Sequence, residues 1–327
     1  MTHYLGLDLG GTNVKCGVIS DAGDVVAKVS LPTEAEQGPE KVVANMVAAA
    51  EQAAAEAGMA LRDIAATGIG APGPLDIANG ILIAAPNLPG FDHEPLRDRI
   101  AEATGRPAVL ENDANAAAFG EFTFGAGRGD VIRHLVMLTL GTGVGGGVIY
   151  DGRIIHGHAT LAGELGHMIV QPHGRACPCG QHGCLEQYAS ASSVGRRVVE
   201  AIENGENSTL KGAFSGRLAR ITAKDVFEAA ENGDYLSQRI VDETAEYLGI
   251  AIVSICRMLD PQMVVFAGGM ILAGEFLFGR IREAYKKHTW TLAGTDVKIV
   301  PALLGNDAGI IGAASVAMDA AKTGDLK

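Results

Sequence analysis

The chain has 327 residues, 47% of them hydrophobic and 20% charged, with 44 glycines and a formal net charge of -12. That length carries two ordinary domains, or one large one, with a sizeable core, and the composition is globular rather than disordered or collagen-like. The acidity argues against nonspecific binding to nucleic acid, whose phosphates demand clustered Lys and Arg, and fits a solvated surface instead.

Met1-Thr2-His3-Tyr4 runs straight into a strand pattern, without the basic and apolar regions of a signal peptide. The longest apolar helix candidate, 251–259, is interrupted by Arg257 and ends at Asp260-Pro261, far short of a bilayer span. A cytoplasmic location is therefore expected. Strands are predicted at 4–9, 14–19, 25–31 and 64–70, with a helix at 40–56 that stops at Gly58. A helix at 96–103 ends at Gly105, and a strand at 108–111 feeds a helix from Asp113. The pattern then restarts: strand 135–140, a glycine turn at 141–147, strand 148–150 and a turn at Asp151-Gly152. The recurrence of strand, Gly-Thr turn, strand and Asp-containing turn predicts two related halves, each built on a hairpin-led mixed sheet. Later come a helix at 222–231 with Thr222 as N-cap, a helix at 235–259, strands at 263–267 and 297–302, and a last helix at 307–321. That helix is expected to pack back on the first domain, giving domains of 1–118 plus 304–327 and of 119–303. The polar, Gly-rich stretch 203–216 reads as a surface loop.

Two G-x-G-x-x-G matches, at Gly68-x-Gly70-x-x-Gly73 and Gly141-x-Gly143-x-x-Gly146, fail as dinucleotide fingerprints because no helix opens directly after them. No Walker A sequence is present. What remains is a phosphate clamp of two hairpin turns, Gly10-Gly11-Thr12 and Gly141-Thr142-Gly143. Glycine lets backbone N–H groups approach phosphate oxygens, and the threonine hydroxyl adds a donor. One such turn is equally well an ordinary hairpin; its repetition favours phosphate. Asp8, at the strand end beside the first turn, is placed to bind Mg²⁺ directly or through water. Lys15 either reaches a phosphate or is a solvated surface lysine.

Of five cysteines, Cys16, Cys177, Cys179, Cys184 and Cys256, three fall within eight residues. With His167 they offer three thiols and one imidazole, a closed tetrahedral Cys₃His set with no open position for water. Zinc suits that ligand softness, and the metal would be structural. A disulfide within C-x-C would be strained, and an exposed, Gly-rich loop leaves these thiols little to pack against. His173 and His182 are spare candidates. Glu164 lies three residues before His167, on one face if the segment turns helically, and Glu186 follows Cys184 by two. Metal binding would thus fix two carboxylates able to accept hydrogen bonds from vicinal hydroxyls.

Leu7-Asp8-Leu9-Gly10-Gly11-Thr12, Gly163-Glu164-Leu165-Gly166-His167 and Cys177-x-Cys179-Gly180-x-x-Gly183-Cys184-Leu185-Glu186 resemble the ROK family of repressors, uncharacterised reading frames and sugar kinases. The resemblance runs from Tyr4 to about Met318. It implies an α/β, two-domain actin/hexokinase/Hsp70-like ATPase fold with mixed sheets, and ATP and sugar in the interdomain cleft. Glu111-Asn112-Asp113-Ala114-Asn115-Ala116 matches the catalytic segment, which makes Asp113 the general base and Asn112 a sugar-binding amide. Asp113 could also be an N-cap. Pro86-Asn87-Leu88-Pro89-Gly90 matches the loop lending a sugar-binding Asn, here Asn87, and Gly73 a sugar-facing turn. Glu164, His167 and Glu186 match the hydroxyl ligands, and Gly268-Gly269 the turn near the adenosine.

The family's repressors carry an N-terminal helix-turn-helix domain, for which a phosphate strand starting at Tyr4 leaves no room; a non-catalytic sugar sensor would not need Asp8, Asp113 and both turns intact. Within the kinases, Glu164 with His167 and Leu185-Glu186-Gln187-Tyr188-Ala189-Ser190 look most like the glucokinases, while N-acetylmannosamine, mannose, allose and fructose kinases share most motifs. The resemblance therefore implies ATP, Mg²⁺ and structural zinc, a hexose substrate, no nucleic-acid or membrane partner, and a homodimer or homotetramer.

Overall fold

The computed structural model describes residues 1–85, 87–129, 131–292 and 297–326. It opens with β1 (His3–Leu9), β2 (Asn13–Ser20) and β3 (Val25–Pro32), then α1 (Pro39–Glu56) and β4 (Thr67–Ala71). Three short strands, β5 (Leu75–Asp76), β6 (Ile81–Ala84) and β7 (Asp92–Glu94), make a small antiparallel sheet. They are followed by α2 (Leu96–Thr104), β8 (Ala108–Asn112) and α3 (Asp113–Thr123). The strand pattern resumes with β9 (Leu135–Leu140), β10 (Val144–Tyr150) and β11 (Arg153–Ile154). Five helices follow: α4 (Glu186–Ala189), α5 (Ala191–Glu203), α6 (Thr209–Ala213), α7 (Ala223–Glu231) and α8 (Tyr235–Leu259). The chain ends with β12 (Met263–Ala267), α9 (Glu275–His288), β13 (Lys298–Pro301) and α10 (Ala308–Thr323).

The first large sheet has the order β3-β2-β1-β4-β8 and the second β11-β10-β9-β12-β13. In each, an antiparallel hairpin leads and two parallel strands follow, so the repeat read from the sequence is a repeat of topology.

Period-two alternation along β1 explains how the first sheet is covered on both faces. Leu5, Leu7 and Leu9 join α1 residues Val42, Val43, Met46, Ala49, Ala50 and Ala53 in one core. The other face carries Tyr4, Gly6 and Asp8, with Tyr4 packed on Ile310, Ile311, Ala314 and Met318 of α10. Gly6 and Gly68 make that approach possible, because a Cβ at either would overlap a backbone carbonyl of α10, that of Ile310 or Ala313. A helix backbone thus lies directly on the strands, a position that tolerates only glycine.

By contacts the chain divides into two units: Met1–Ile132 with Gly147–Gly163 and Leu303–Lys327, and Arg133–Gly146 with Glu164–Ala302. These limits differ from the expected 1–118 plus 304–327 and 119–303. The cause is Glu121 on α3, whose carboxylate accepts the N–H groups of Leu303 (2.9 Å), Leu304 (2.7 Å) and Ala126 (2.8 Å). It ties both the continuation of α3 and the returning chain to the first unit. Residues 147–163 join it because Gly147 lies against Ala118 of α3, and because His156 and Thr160 bond Glu111 and the Leu75 carbonyl.

Other differences have local causes. The expected turn at 141–147 is cut short, since β10 begins at Val144 and runs through three glycines. Residues 203–216 hold α6, started by the Ser208 hydroxyl accepting from the Leu210 N–H. Helices α5 and α9, unforeseen in the sequence, each contain an interior glycine, Gly195 and Gly279, which lowers helix propensity. Thr222 does cap α7, within a capping box completed by Asp225. No described helix is long and apolar enough to cross a membrane.

Asp234 fastens the helical region of the second unit. It is the N-cap of α8: Oδ1 accepts from the Ser237 N–H (2.9 Å) and Oδ2 from the Thr209 N–H (2.6 Å). Burial pushes this carboxyl up, but the hydrogen bonds from Ser237 and Thr209 outweigh it and hold the group below its ordinary value. Asp234→Ala is expected to cost about 1–3 kcal/mol in urea denaturation near neutral pH. Because the folded-state value is depressed, this stabilisation is present above the ordinary carboxylate range and fades as pH falls through the folded value. The gap between variant and wild type should therefore shrink in acid.

Candidate functional site

In the first unit the predicted residues gather at one end of the sheet. Asp8, at the end of β1, pairs across the hairpin with Lys15. Burial raises the Asp8 carboxyl above its ordinary value, and the Lys15 charge opposes that. A Cβ at Gly309, in the first turn of α10, would meet the Asp8 carboxylate, so this unpredicted glycine lets a helix start sit beside Asp8. The Gly10-Gly11-Thr12 turn is closed by the Gly10 N–H donating to the Asn13 carbonyl (3.0 Å). It is braced from β3's end, where the Thr33 hydroxyl donates to the Gly10 carbonyl (2.6 Å). Asn87 lies on this turn: a Cβ at Gly11 would be 3.1 Å from the Cβ of Asn87. Pro86, the first residue of the expected Asn87 loop, lies outside the described residues. Gly73 takes a φ of 87° just after β4, facing the Ala84 carbonyl.

Asp113 is the first residue of α3, and the N-cap is Asn112. The capping alternative for Asp113 thus passes to its neighbour, whose Oδ1 accepts from the Ala114 (3.0 Å) and Asn115 (3.1 Å) N–H groups. The Ala114 N–H also donates to Asp113 Oδ1 at 2.8 Å. With Oδ1 of Asn112 committed to the cap, its amide nitrogen is the atom available to a hydroxyl.

In the second unit a single peptide joins two predicted sites. Gly141-Thr142-Gly143 is closed by the Gly141 N–H donating to the Gly143 carbonyl (3.0 Å). The next N–H, of buried Val144, donates to Glu186 Oε2 at 3.0 Å. Gly143 permits this, since a Cβ there would collide with that same carboxylate oxygen. The Val144 carbonyl packs against Gly166, where a Cβ would overlap it. Gly166 belongs to the 3₁₀ turn Leu165–His167, which Glu164 leads, so the segment does turn helically. Gly268 (φ 92°) follows β12 against the Leu140 carbonyl, with Gly269 opening a short 3₁₀ turn.

Sequence reasoning missed the helix beside this turn. The first N–H of α5, from Ala191, donates to the Gly141 carbonyl (2.8 Å). A cavity of about 620 Å³ runs from there, lined among others by Thr142, Ser192, Arg196, Ile221 and Thr222. A helix start and a concavity of that size beside a Gly-Thr turn suit an anionic ligand with a flat apolar part. The signal in sequence was Ser190, the cap of α5, obscured by the short α4 before it.

His167, Cys177, Cys179 and Cys184 come together, their ligand atoms all within 4.8 Å of one another. Cys179 and Cys184 sulfurs are 3.7 Å apart, and Cys177 Sγ is 3.7 Å from His167 Nδ1. Four ligands around one tetrahedral ion with metal–sulfur bonds of about 2.3 Å would place sulfurs ~3.8 Å apart, so the donor set fits a metal ion. The exposed loop expected here is only half exposed: Cys177 and Cys184 are buried and Cys179 is at the surface. Burial pushes the Cys184 thiol up to about 12, whereas the Gln181 N–H above all holds Cys179 down to about 7. His173 and His182 are exposed and stand outside the cluster. Tyr188 anchors the loop, its hydroxyl accepting from the Arg175 N–H (2.8 Å) while buried Arg197 donates to its carbonyl (2.8 Å).

Two hairpin-led mixed sheets of matching topology, each with a Gly-Thr turn, define an actin/hexokinase-like ATPase fold. The chain belongs to the ROK family, whose description matches residues 4–320. It is 38% identical to a glucokinase of Thermotoga maritima over 95% of this chain and 96% of that one. It is 35% identical to an N-acetylmannosamine kinase of Escherichia coli O157:H7, over 96% and 97%. Among solved structures it resembles a ROK family glucokinase from Streptomyces griseus in complex with glucose and AMPPNP, with a TM-score of 0.79 and 34% identity over 97% of this chain and 99% of that one.

The Val144 contact is open to direct test. Glu186→Ala should speed hydrogen exchange of the Val144 amide by about 10- to 100-fold, as expected when a buried donor loses its acceptor. Glu186→Gln, which keeps a carbonyl oxygen, should preserve most of the protection.

Proposed function

We propose that the chain is an ATP-dependent hexose kinase acting as a glucokinase: ATP and D-glucose give ADP and D-glucose 6-phosphate. The observation that carries this reading is the Val144 peptide, which links a phosphate-type turn to a carboxylate suited to sugar hydroxyls. The likeness to the glucokinases of Thermotoga maritima and Streptomyces griseus supports the same reaction.

In this reading Gly10-Gly11-Thr12 and Gly141-Thr142-Gly143 hold the nucleotide phosphates through backbone N–H groups and threonine hydroxyls, with Lys15 adding charge. The cavity beside Thr142, with Gly268-Gly269, takes the adenosine. Asp8 would hold Mg²⁺, which supplies charge neutralisation on the phosphates. The sugar is held by Asn87, Asn112, Glu164, His167 and Glu186, with Gly73 lining its loop. Asp113 accepts the proton of the attacking hydroxyl. A carboxylate at a helix start is a weak base, which suffices because phosphoryl transfer chiefly requires alignment and a late proton acceptor.

Zinc would be held by His167, Cys177, Cys179 and Cys184 and supply structure only, the four protein ligands closing its shell. Ligation through His167 Nδ1, the atom facing Cys177, fixes the proton on Nε2. His167 then donates to a hydroxyl, while Glu164 and Glu186 accept. Homo-oligomerisation and a cytoplasmic location belong to the same proposal.

Asp113→Ala should lower kcat by about 10²- to 10⁴-fold while leaving glucose affinity nearly unchanged; near-normal kcat would refute the assignment. A hexose panel tests the substrate, and kcat/KM for N-acetylmannosamine well above glucose would favour the second reading, motivated by the E. coli relative. Metal analysis of Cys179→Ser should show zinc lost together with a raised glucose KM. Unchanged zinc and KM would remove the metal from the account.

A further inference from the structure

Glu111 is the last residue but one of β8, two before Asp113, and is 2% exposed. Oε1 accepts from the Asn112 N–H at 2.9 Å and from Asn115 Nδ2 at 3.1 Å. The two donors lie on either side of Asp113, so this one oxygen staples the strand-to-helix junction across the proposed base. Oε2 meets His156 Nε2 at 2.7 Å.

The staple depends on charge. A buried carboxylate is costly unless paired, and once protonated it is a poorer acceptor for two N–H groups. Its partner is His156, from the loop after β11. Hydrogen bonding to Glu111 raises the proton affinity of this imidazole against the opposing effect of its own burial. His156 is partly open to a cavity of about 770 Å³ also lined by Arg97 and Arg153. Arg97 is engaged elsewhere, its Nε 2.7 Å from Asp98.

We propose that His156 is a positioning residue for phosphoryl transfer, acting through Glu111 to hold the Asn112-Asp113 turn in its reactive place. The inference rests on the reading of Asp113 as the base. Neither His156 nor Glu111 need touch the sugar, so their loss should appear in the rate of the chemical step rather than in substrate affinity.

The test compares His156→Leu, His156→Gln, Glu111→Gln and the His156→Leu/Glu111→Gln double variant with Asp113→Ala, all as full chains. Folded fraction is measured by circular dichroism at the assay temperature. Displacement of a reacting group by about 1 Å costs of the order of 100-fold, so His156→Leu should lose about 10- to 100-fold in kcat with glucose KM within about threefold of wild type. His156→Gln, whose amide reaches as far as Nε2 and donates, should recover most of that loss. The double variant should be no slower than the worse single. An unchanged kcat in His156→Leu, a change confined to KM, no recovery in a well-folded His156→Gln, or losses that multiply in the double variant would each overturn the proposal. Should His156→Leu fail to fold, the comparison of His156→Gln with Glu111→Gln decides alone: kcat must fall in the second and hold in the first. Near-normal kcat in Asp113→Ala would sink the base assignment, whereas an inactive Asp113→Ala beside an unaffected His156→Leu sinks only the role of His156.

Discussion

The Val144 peptide is the constraint on which the second unit's chemistry depends. The Gly143–Val144 peptide gives its N–H to Glu186 and takes the Gly141 N–H on its carbonyl, and the Val144 carbonyl, in the next peptide, faces Gly166. The turn ending at Gly143 is thus tied to both segments that lead to the Cys/His cluster. Each peptide group is rigid, and the two meet at the Val144 Cα within β10, so these three pieces cannot shift independently by much. On the proposed reading, nucleotide phosphates and sugar hydroxyls meet the protein at opposite sides of one planar unit. That arrangement favours alignment, the main thing an enzyme contributes to phosphoryl transfer.

The first unit reaches a comparable result by strand alternation. Leucines of β1 fill one face, leaving the opposite face to Gly6 and Asp8, where α10 lies against the sheet. The same alternation in β8 sends Ala108 and Leu110 into the α1 core and leaves Glu111 on the other side. The carboxylates of Asp8 and Glu111 therefore sit on the face that α10 covers. The partial positive charge of a helix N-terminus offsets part of the cost of an acid held there.

Much of this was legible because it followed local rules. The end of α8 could be read from the Asp260-Pro261 pair, since proline cannot continue a helix and Asp tolerates the left-handed conformation that Asp260 adopts there. The Cys/His cluster could be read from spacing alone. What sequence hid were consequences of close approach. Gly145, Gly146 and Gly147 look like a turn but form a strand, since Gly147 must lie against α3. The cap at Asn112 rather than Asp113 was invisible because either side chain can cap a helix. His156 carries no signal of its own: its role comes from a carboxylate 45 positions earlier, and only the fold brings the two together.

The division of labour between metal and protein also follows from the geometry. Two of the cluster's sulfurs are buried and one is at the surface, while Tyr188 and Arg197 clamp the loop from the helical side. Glu186 is already held by the Val144 N–H, but a loop kept only by such hydrogen bonds would leave the His167 ring free to change rotamer. A closed four-ligand ion would remove that freedom by fixing the backbone at residues 167 and 184, next to Glu164 and Glu186. The metal would then contribute to catalysis only through geometry. Its effect would be felt in which hydroxyl donates and which accepts, because ligation through Nδ1, the atom that faces Cys177, would fix the His167 tautomer.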